Sequence, residues 1–340
     1  MRRLPRSVPL LEHGGSTRPT VVDDPLRSRH HAGMIRSRGL LFPVILAASS
    51  FVLPGSLPQA QPAQSPDRHA TLPAASPDGR HVAFVRDLPD HSAEMVVVDL
   101  DGSHERVLAH VQDGGAPFWA SGGRAIAFDA RAGDTVELRL VPRERGEPRT
   151  VVALRALTVA PSHDGRRIVW TQGGWTCGRM LVADVDGSHA RALTDSTMGF
   201  FNMAWSPDDR TIAVTRRDTT GDLQIWTFDV RTGASRSVTA FEKSAGRPQW
   251  PAWSPDGKRL AVQAGRYDRQ NPEKSEADIW VMNADGSDLR RITTRERPWM
   301  DETPSWMPDG KRIVFQSTRS GRFDVWIMNA DGSGARQITH

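Results

Sequence analysis

The chain has 340 residues with 44 basic and 40 acidic side chains, a net charge of +4. The imbalance sits at the front: residues 1–64 hold eight Arg against three acidic residues, whereas residues 65–340 are close to neutral at −1, which removes the main support for nucleic-acid binding. Cys177 is the single cysteine, so an intramolecular disulfide is excluded.

In chain order, residues 1–33 are polar, Arg- and Pro-bearing and without periodicity. Residues 34–64 open with Met34-Ile-Arg-Ser-Arg-Gly, continue with the apolar run from Leu40 to Leu53, and end in a Pro/Gln/Ala stretch. A basic start, a short apolar core and a small-residue exit are the pattern of a secretory signal peptide. The apolar run is too short to span a bilayer comfortably, and no Cys follows it for lipid attachment. Signal peptides do not normally follow such a leader. The expectation is therefore translation from Met34, a mis-translated or disordered leader over 1–33, cleavage between Ser56 and Ser65, and a periplasmic or secreted domain over 65–340.

That domain repeats a phrase. Trp253-Ser-Pro-Asp-Gly-Lys-Arg-Leu-Ala-Val is echoed by Trp306-Met-Pro-Asp-Gly-Lys-Arg-Ile-Val-Phe. Each is followed by an Asp-Ile/Val-Trp-Val/Ile-Met-Asn-Ala-Asp-Gly-Ser stretch (from Asp278 and Asp324) and a closing Ile-Thr. Looser copies begin at Ser76, Ser121, Ser162 and Trp205, giving six units over about 70–110, 115–154, 157–195, 200–240, 248–294 and 301–340. A period of about 40 to 50 residues marks propellers and solenoids. Ser-Pro-Asp-Gly is a turn, because Pro pre-sets φ and Gly accepts positive φ. The β-branched run after it reads as a strand, and Asp-Gly between apolar runs is a hairpin signal. With the stretch ahead of the Trp, each unit supplies four antiparallel strands, one blade. The fold is thus expected to be all-β, a six-bladed propeller whose blades cover each other's apolar faces. Trp205, Trp226, Trp253, Trp280, Trp306 and Trp326 are assigned to inter-blade packing. Gly257, Gly310, Gly286 and Gly332 should have positive φ, and Asp209, in the Gly position of its turn, should tolerate the same geometry.

The repeat resembles that of the TolB β-propeller family over about 70–340, most closely in the last two units. Related blades occur in prolyl oligopeptidase-type peptidases. The resemblance implies the fold; it implies little about activity, since such blades serve unrelated partners. The α/β domain that precedes the TolB propeller is not expected here, since only a few residues separate the expected cleavage site from the first unit, and no Gly-x-Ser-x-Gly elbow of the hydrolases occurs in the sequence.

No catalytic, metal or cofactor set is expected. Nothing local to Cys177 supplies a base, and His104 and His189 share a repeat position on separate blades, too far apart to share an ion. The stereotyped turns lie on one rim and the long, variable loops on the other, where function usually resides. The expected binding rim comprises Trp175, Phe200, Phe201, Arg247, Trp250, Arg266, Tyr267, Arg297, Trp299 and Asp301, rich in the aromatics and Arg that anchor interfaces. Trp250 and Trp299 are expected in corresponding connections, flanking one recess beside Tyr267. The favoured reading is a monomeric, non-catalytic binding module for a protein or cell-envelope component. The alternatives are a propeller enzyme acting on a polysaccharide or peptide (oligogalacturonate lyases are such propellers) and an accessory domain of a separate catalytic chain.

Overall fold

The computed structural model describes residues 21–22, 69–90, 92–111, 115–144, 146–174, 177–195, 199–217, 221–239, 241, 246–268, 270–271, 274–293 and 299–340. The expected signal peptide, and the leader apart from Val21–Val22, lie outside these residues. Val21–Val22 forms a short strand, β1.

Six four-stranded antiparallel sheets follow, each using its strands in chain order. Blade 1 is β2 (His69–Ala75), β3 (His81–Asp87), β4 (Ala93–Asp99) and β5 (Arg106–Val111). Blade 2 is β6 (Phe118–Ala120), β7 (Ala125–Ala132), β8 (Thr135–Pro142) and β9 (Arg149–Leu154), with β1 added parallel to β9. Blade 3 is β10 (Val159–Pro161), β11 (Arg167–Gly173), β12 (Gly178–Asp184) and β13 (Arg191–Ala192). Blade 4 is β14 (Phe200–Trp205), β15 (Thr211–Arg217), β16 (Leu223–Asp229) and β17 (Ser235–Ser237). Blade 5 is β18 (Arg247–Trp253), β19 (Arg259–Arg266), β20 (Glu276–Asn283) and β21 (Arg290–Arg291). Blade 6 is β22 (Asp301–Trp306), β23 (Arg312–Ser317), β24 (Asp324–Asn329) and β25 (Arg336–Gln337). The six-bladed, all-β expectation holds.

The second strand of each blade is covered on both faces, which is why it reads as a continuous apolar run rather than an alternating one. Val82, Ala83, Phe84 and Val85 are fully buried, as are Ile212, Ala213 and Val214 and their counterparts Leu260, Ala261 and Val262. Six apolar clusters result, one at each interface between successive blades, the last joining blade 6 to blade 1. The repeat tryptophans serve these interfaces. Trp205 and Trp306 are buried, and Trp226, Trp253, Trp280 and Trp326 pack against the clusters. Indole N–H groups also stitch blade to blade. Trp119 donates to the Ala74 carbonyl (2.9 Å), Trp205 to Ala160 (3.1 Å) and Trp253 to Ala204 (3.2 Å).

The turns explain the repeated polar letters. In blade 1 the Ser76 hydroxyl donates to Asp78 Oδ1 at 2.6 Å and accepts the His81 amide, while the Gly79 amide closes the turn on the Ser76 carbonyl. The Ser–Asp hydrogen bond recurs at Ser162–Asp164, Ser206–Asp208 and Ser254–Asp256. Gly257, Gly310, Gly286 and Gly332 have φ of 68°, 64°, 93° and 92°, and Asp209 takes 56° in place of Gly. The Thr of the closing Ile-Thr has a job of its own. Its hydroxyl accepts a backbone amide from within the third strand, Thr293 from Ile279 (3.0 Å) and Thr339 from Val325 (2.9 Å).

Ring closure is non-covalent, because blades 1 and 6 are each built from four consecutive strands. Besides the shared apolar cluster, the Ala70 amide donates to the Phe323 carbonyl (2.8 Å), and Arg336 reaches the Leu100 carbonyl (3.0 Å).

Candidate functional site

The antiparallel order places the 1–2 and 3–4 turns of every blade at one end. The 2–3 loops and blade-to-blade connections lie at the other. At the loop-bearing end, the first strands of blades 1, 4, 5 and 6 carry a β-bulge with a left-handed residue at its centre: Leu72, Asn202, Trp250 and Thr303, with φ of 54°, 52°, 53° and 48°. Bulges re-aim strands and concentrate near functional sites. Each lies four residues before the turn, a correspondence carried by position rather than residue type.

A polar relay ties the bulges of blades 6 and 1 to side chains of blades 5 and 6. Gln263 Oε1 accepts the Thr303 amide at 2.8 Å, and its amide nitrogen donates to the Tyr267 hydroxyl at 2.9 Å. Tyr267 donates to Glu302 Oε1 at 2.6 Å; Gln316 donates to Glu302 Oε2 at 2.9 Å and accepts the Leu72 amide at 2.8 Å. Burial pushes the Glu302 carboxyl up. Burial, with Glu302 beside it, likewise pushes the Tyr267 hydroxyl well above its usual range. Tyr267 as a whole residue is nonetheless 44% exposed, although its hydroxyl is fixed inside.

The expected rim residues separate under this geometry. Trp175 and Arg297 lie outside the described residues. Arg247 and Arg266 are exposed, Arg266 paired with Glu276, and Trp250 and Trp299 are half-buried. Three others are turned inward. Phe200 lies between blades 3 and 4, edge-on to Phe228 with ring centroids 5.8 Å apart. Phe201 is buried beside it in β14, because strand residues there face neighbouring blades rather than solvent. Asp301 is 1% exposed and clamped by Arg319 (2.7 and 3.1 Å) and by the Ser317 hydroxyl (2.6 Å).

The supposed equivalence of Trp250 and Trp299 also changes. Trp250 sits inside β18 at the bulge and corresponds to Thr303, whereas Trp299 precedes β22 and lies 5.1 Å from the Arg319 guanidinium. Aligning the two connections on their Arg-Pro pairs slips the register that the turns set. The relay residues Gln263, Glu302 and Gln316 were missed, although Gln263 and Gln316 share a repeat position as Gln in otherwise apolar strands.

Blade 2 has a half-buried carboxylate at the matching position. Burial pushes the Asp129 carboxyl up to about 6, with Thr158 offering it only a long hydrogen bond of 3.5 Å. An unfolded Asp releases its proton near pH 4. Between about pH 4 and 6 the folded state therefore binds more protons, and stability falls as pH rises through that window. Asp129→Asn should gain about 2 kcal/mol at pH 7 and nothing at pH 3, as read by denaturant melts at the two pH values.

Among the described residues no group of three His, Cys, Asp or Glu side chains is arranged to hold a metal, and no helix is long and apolar enough to cross a membrane. The TolB beta propeller domain family matches residues 171–340. The Tol-Pal system protein TolB of Anaeromyxobacter dehalogenans (strain 2CP-C) is 31% identical over 190 residues, 54% of this chain and 41% of that protein. The chain thus spans well under half of this curated relative. The crystal structure of TolB from Acinetobacter baumannii superposes with a TM-score of 0.58 at 20% identity, over 79% of this chain and 62% of that one. An oligogalacturonate lyase from Vibrio parahaemolyticus gives 0.52 at 13%, over 78% and 91%. At such identities the structural likeness speaks for the fold alone, and it extends to TolB and to a lyase alike. The repeat that builds every blade, matched over the second half of the sequence, makes this chain a member of the TolB β-propeller domain family.

Proposed function

We propose that this propeller is a non-catalytic binding module. It recognises a protein or other cell-envelope component through the loop-bearing rim of blades 5 and 6, from a periplasmic or secreted position. The observation that carries the proposal is Tyr267. Its hydroxyl is held by Glu302 and Gln263 while the residue stays 44% exposed, next to Arg266 in sequence and on the same blade as Arg247 and Trp250. An aromatic fixed before binding loses little conformational entropy on binding, which is the property of an anchor residue. The likeness to Tol-Pal system proteins supports an envelope partner. The chain covers 41% of that relative, so the assembly it joins is part of the proposal.

Capture from an envelope extract tests this. Trp250→Ala should weaken capture by roughly 30-fold, about 2 kcal/mol, with the melting temperature nearly unchanged. Tyr267→Ala should weaken capture as much and also lower the melting temperature, because it leaves Glu302 and Gln263 without their phenol partner. Trp299→Ala should in addition lose about 1 kcal/mol of stability through its stacking on Arg319. Capture unaffected by Tyr267→Ala would move the site off this rim.

A further inference from the structure

The turn-bearing end, stereotyped in sequence, holds an open groove between blades 4 and 5. Its origin is a gap in a repeated contact. In blade 3, Arg167 opens the second strand. Its guanidinium lies 5.1 Å from the Trp205 ring of the next blade and donates to the Asp209 carbonyl at 2.7 Å. In blade 5, Arg259 does the same, 4.4 Å from the Trp306 ring and donating to the Gly310 carbonyl at 2.8 Å. Asp209 and Gly310 are the left-handed residues of their turns, so the acceptor is one repeat position. In blade 4 that opening residue is Thr211.

The backbone at the three places is the same. The amides of Arg167, Thr211 and Arg259 donate to Ser162, Ser206 and Ser254 hydroxyls at 3.0, 3.0 and 2.9 Å. The threonine is too short to reach the next blade. Trp253, the counterpart of buried Trp205 and Trp306, is left only half-buried, and a groove of about 650 Å³ opens over it. Thr211, Trp253 and Gly257 line it, together with the carboxylates of Asp208, Asp229 and Asp256. One cation, Arg236, also lines it, with its guanidinium turned to the Ala284 and Asp285 carbonyls. Hydrogen bonds within the Asp208, Asp229 and Asp256 turns, chiefly from Ser206, Thr232 and Ser254, hold these three carboxyls below their usual range, ionised at neutral pH.

We propose that this groove binds a guanidinium, the arginine side chain of a partner polypeptide. It would stack on Trp253 and donate to the Gly257 carbonyl, as Arg167 and Arg259 do within the chain. Of the lining residues three are carboxylates and one is a cation, with Arg210, Arg231, Lys258 and Arg259 acting on the carboxylates from outside the lining. An aromatic face with carboxylates beside it suits a planar, weakly hydrated cation better than an ammonium. The groove lies at the opposite end from the loop-bearing rim, and the assignment stands independently of that rim's function.

The test uses the full chain and N-acetyl-arginine methylamide, titrated by NMR or calorimetry beside its lysine and citrulline counterparts and free arginine. The arginine probe should bind at least tenfold more tightly than either counterpart. Thr211→Arg should fill the groove from within, raising the melting temperature and abolishing probe binding. Equal binding of the lysine or citrulline probe, unchanged binding to Thr211→Arg, or a lower melting temperature for that variant would each overturn the assignment. Tighter binding of free arginine than of the capped form would overturn the partner polypeptide as its source.

Discussion

Gly332→Ala should cost about 3 kcal/mol of folding free energy, and Gly257→Ala only about 1, although both glycines sit in turns at positive φ. At Gly257 an added Cβ meets nothing nearer than Pro207 at 3.8 Å, so the penalty is the left-handed backbone alone. At Gly332 the same atom would lie 1.8 Å from the Ile292 carbonyl oxygen of the preceding blade, and at Gly286 it would lie 2.0 Å from that of Val238. Backbone cannot swing aside as a side chain can, so the outer hairpin must lift off its neighbour or the neighbour's fourth strand must give way. Overpacking of that kind adds about 1–3 kcal/mol to the conformational cost. Urea melts of the three alanine variants decide it. Equal losses at Gly257 and Gly332 would mean that the outer hairpins are not pressed against the preceding blade.

Arg319→Met should be the more damaging single change, at about 3–5 kcal/mol, because it strands a buried carboxylate. Asp301 is 1% exposed and its carboxylate takes two hydrogen bonds from Arg319 and one from Ser317. The guanidinium in turn lies over Trp299, Phe315 and Trp326, tying the entry of blade 6 to its second and third strands. Methionine keeps much of the apolar stem and removes the charge. Adding Asp301→Asn to Arg319→Met should therefore recover most of the loss, since no charge then remains buried without its partner. A double variant as unstable as the single would show that the stacking on the three rings, rather than the ion pair, carries the stability. Asp301, expected from the sequence to face a partner, would in either case be a residue of the fold.

The blades were legible because their signals are local. Ser-Pro-Asp-Gly, Asp-Gly-Ser and the apolar runs between them dictate turns and strands within a few residues, and a period repeated six times leaves little choice of architecture. The rim was legible only in part. Tyr267 and Arg266 were expected at the surface, as long or aromatic residues in an irregular loop, and both are exposed. Phe200 and Phe201 were misplaced because an aromatic beside a loop looks the same in sequence whether it faces solvent or the next blade. The relay of Gln263, Glu302 and Gln316 joins residues from different blades, and such pairings are invisible along the chain.

The sequence by itself determined the blade count, the strand order, the left-handed positions of the turns and the packing role of the repeat tryptophans, all consequences of local backbone preference and apolar periodicity. The tertiary structure decided which of the rim's large side chains stay exposed, since blade-to-blade packing sets burial. It also decided that a phenol would be pinned by a buried carboxylate in the next blade. Its last decision was that Thr211, an unremarked departure from arginine, would leave the face of Trp253 uncovered. These are facts about neighbours more than 30 residues away in the chain, and only the closing of the ring brings them together.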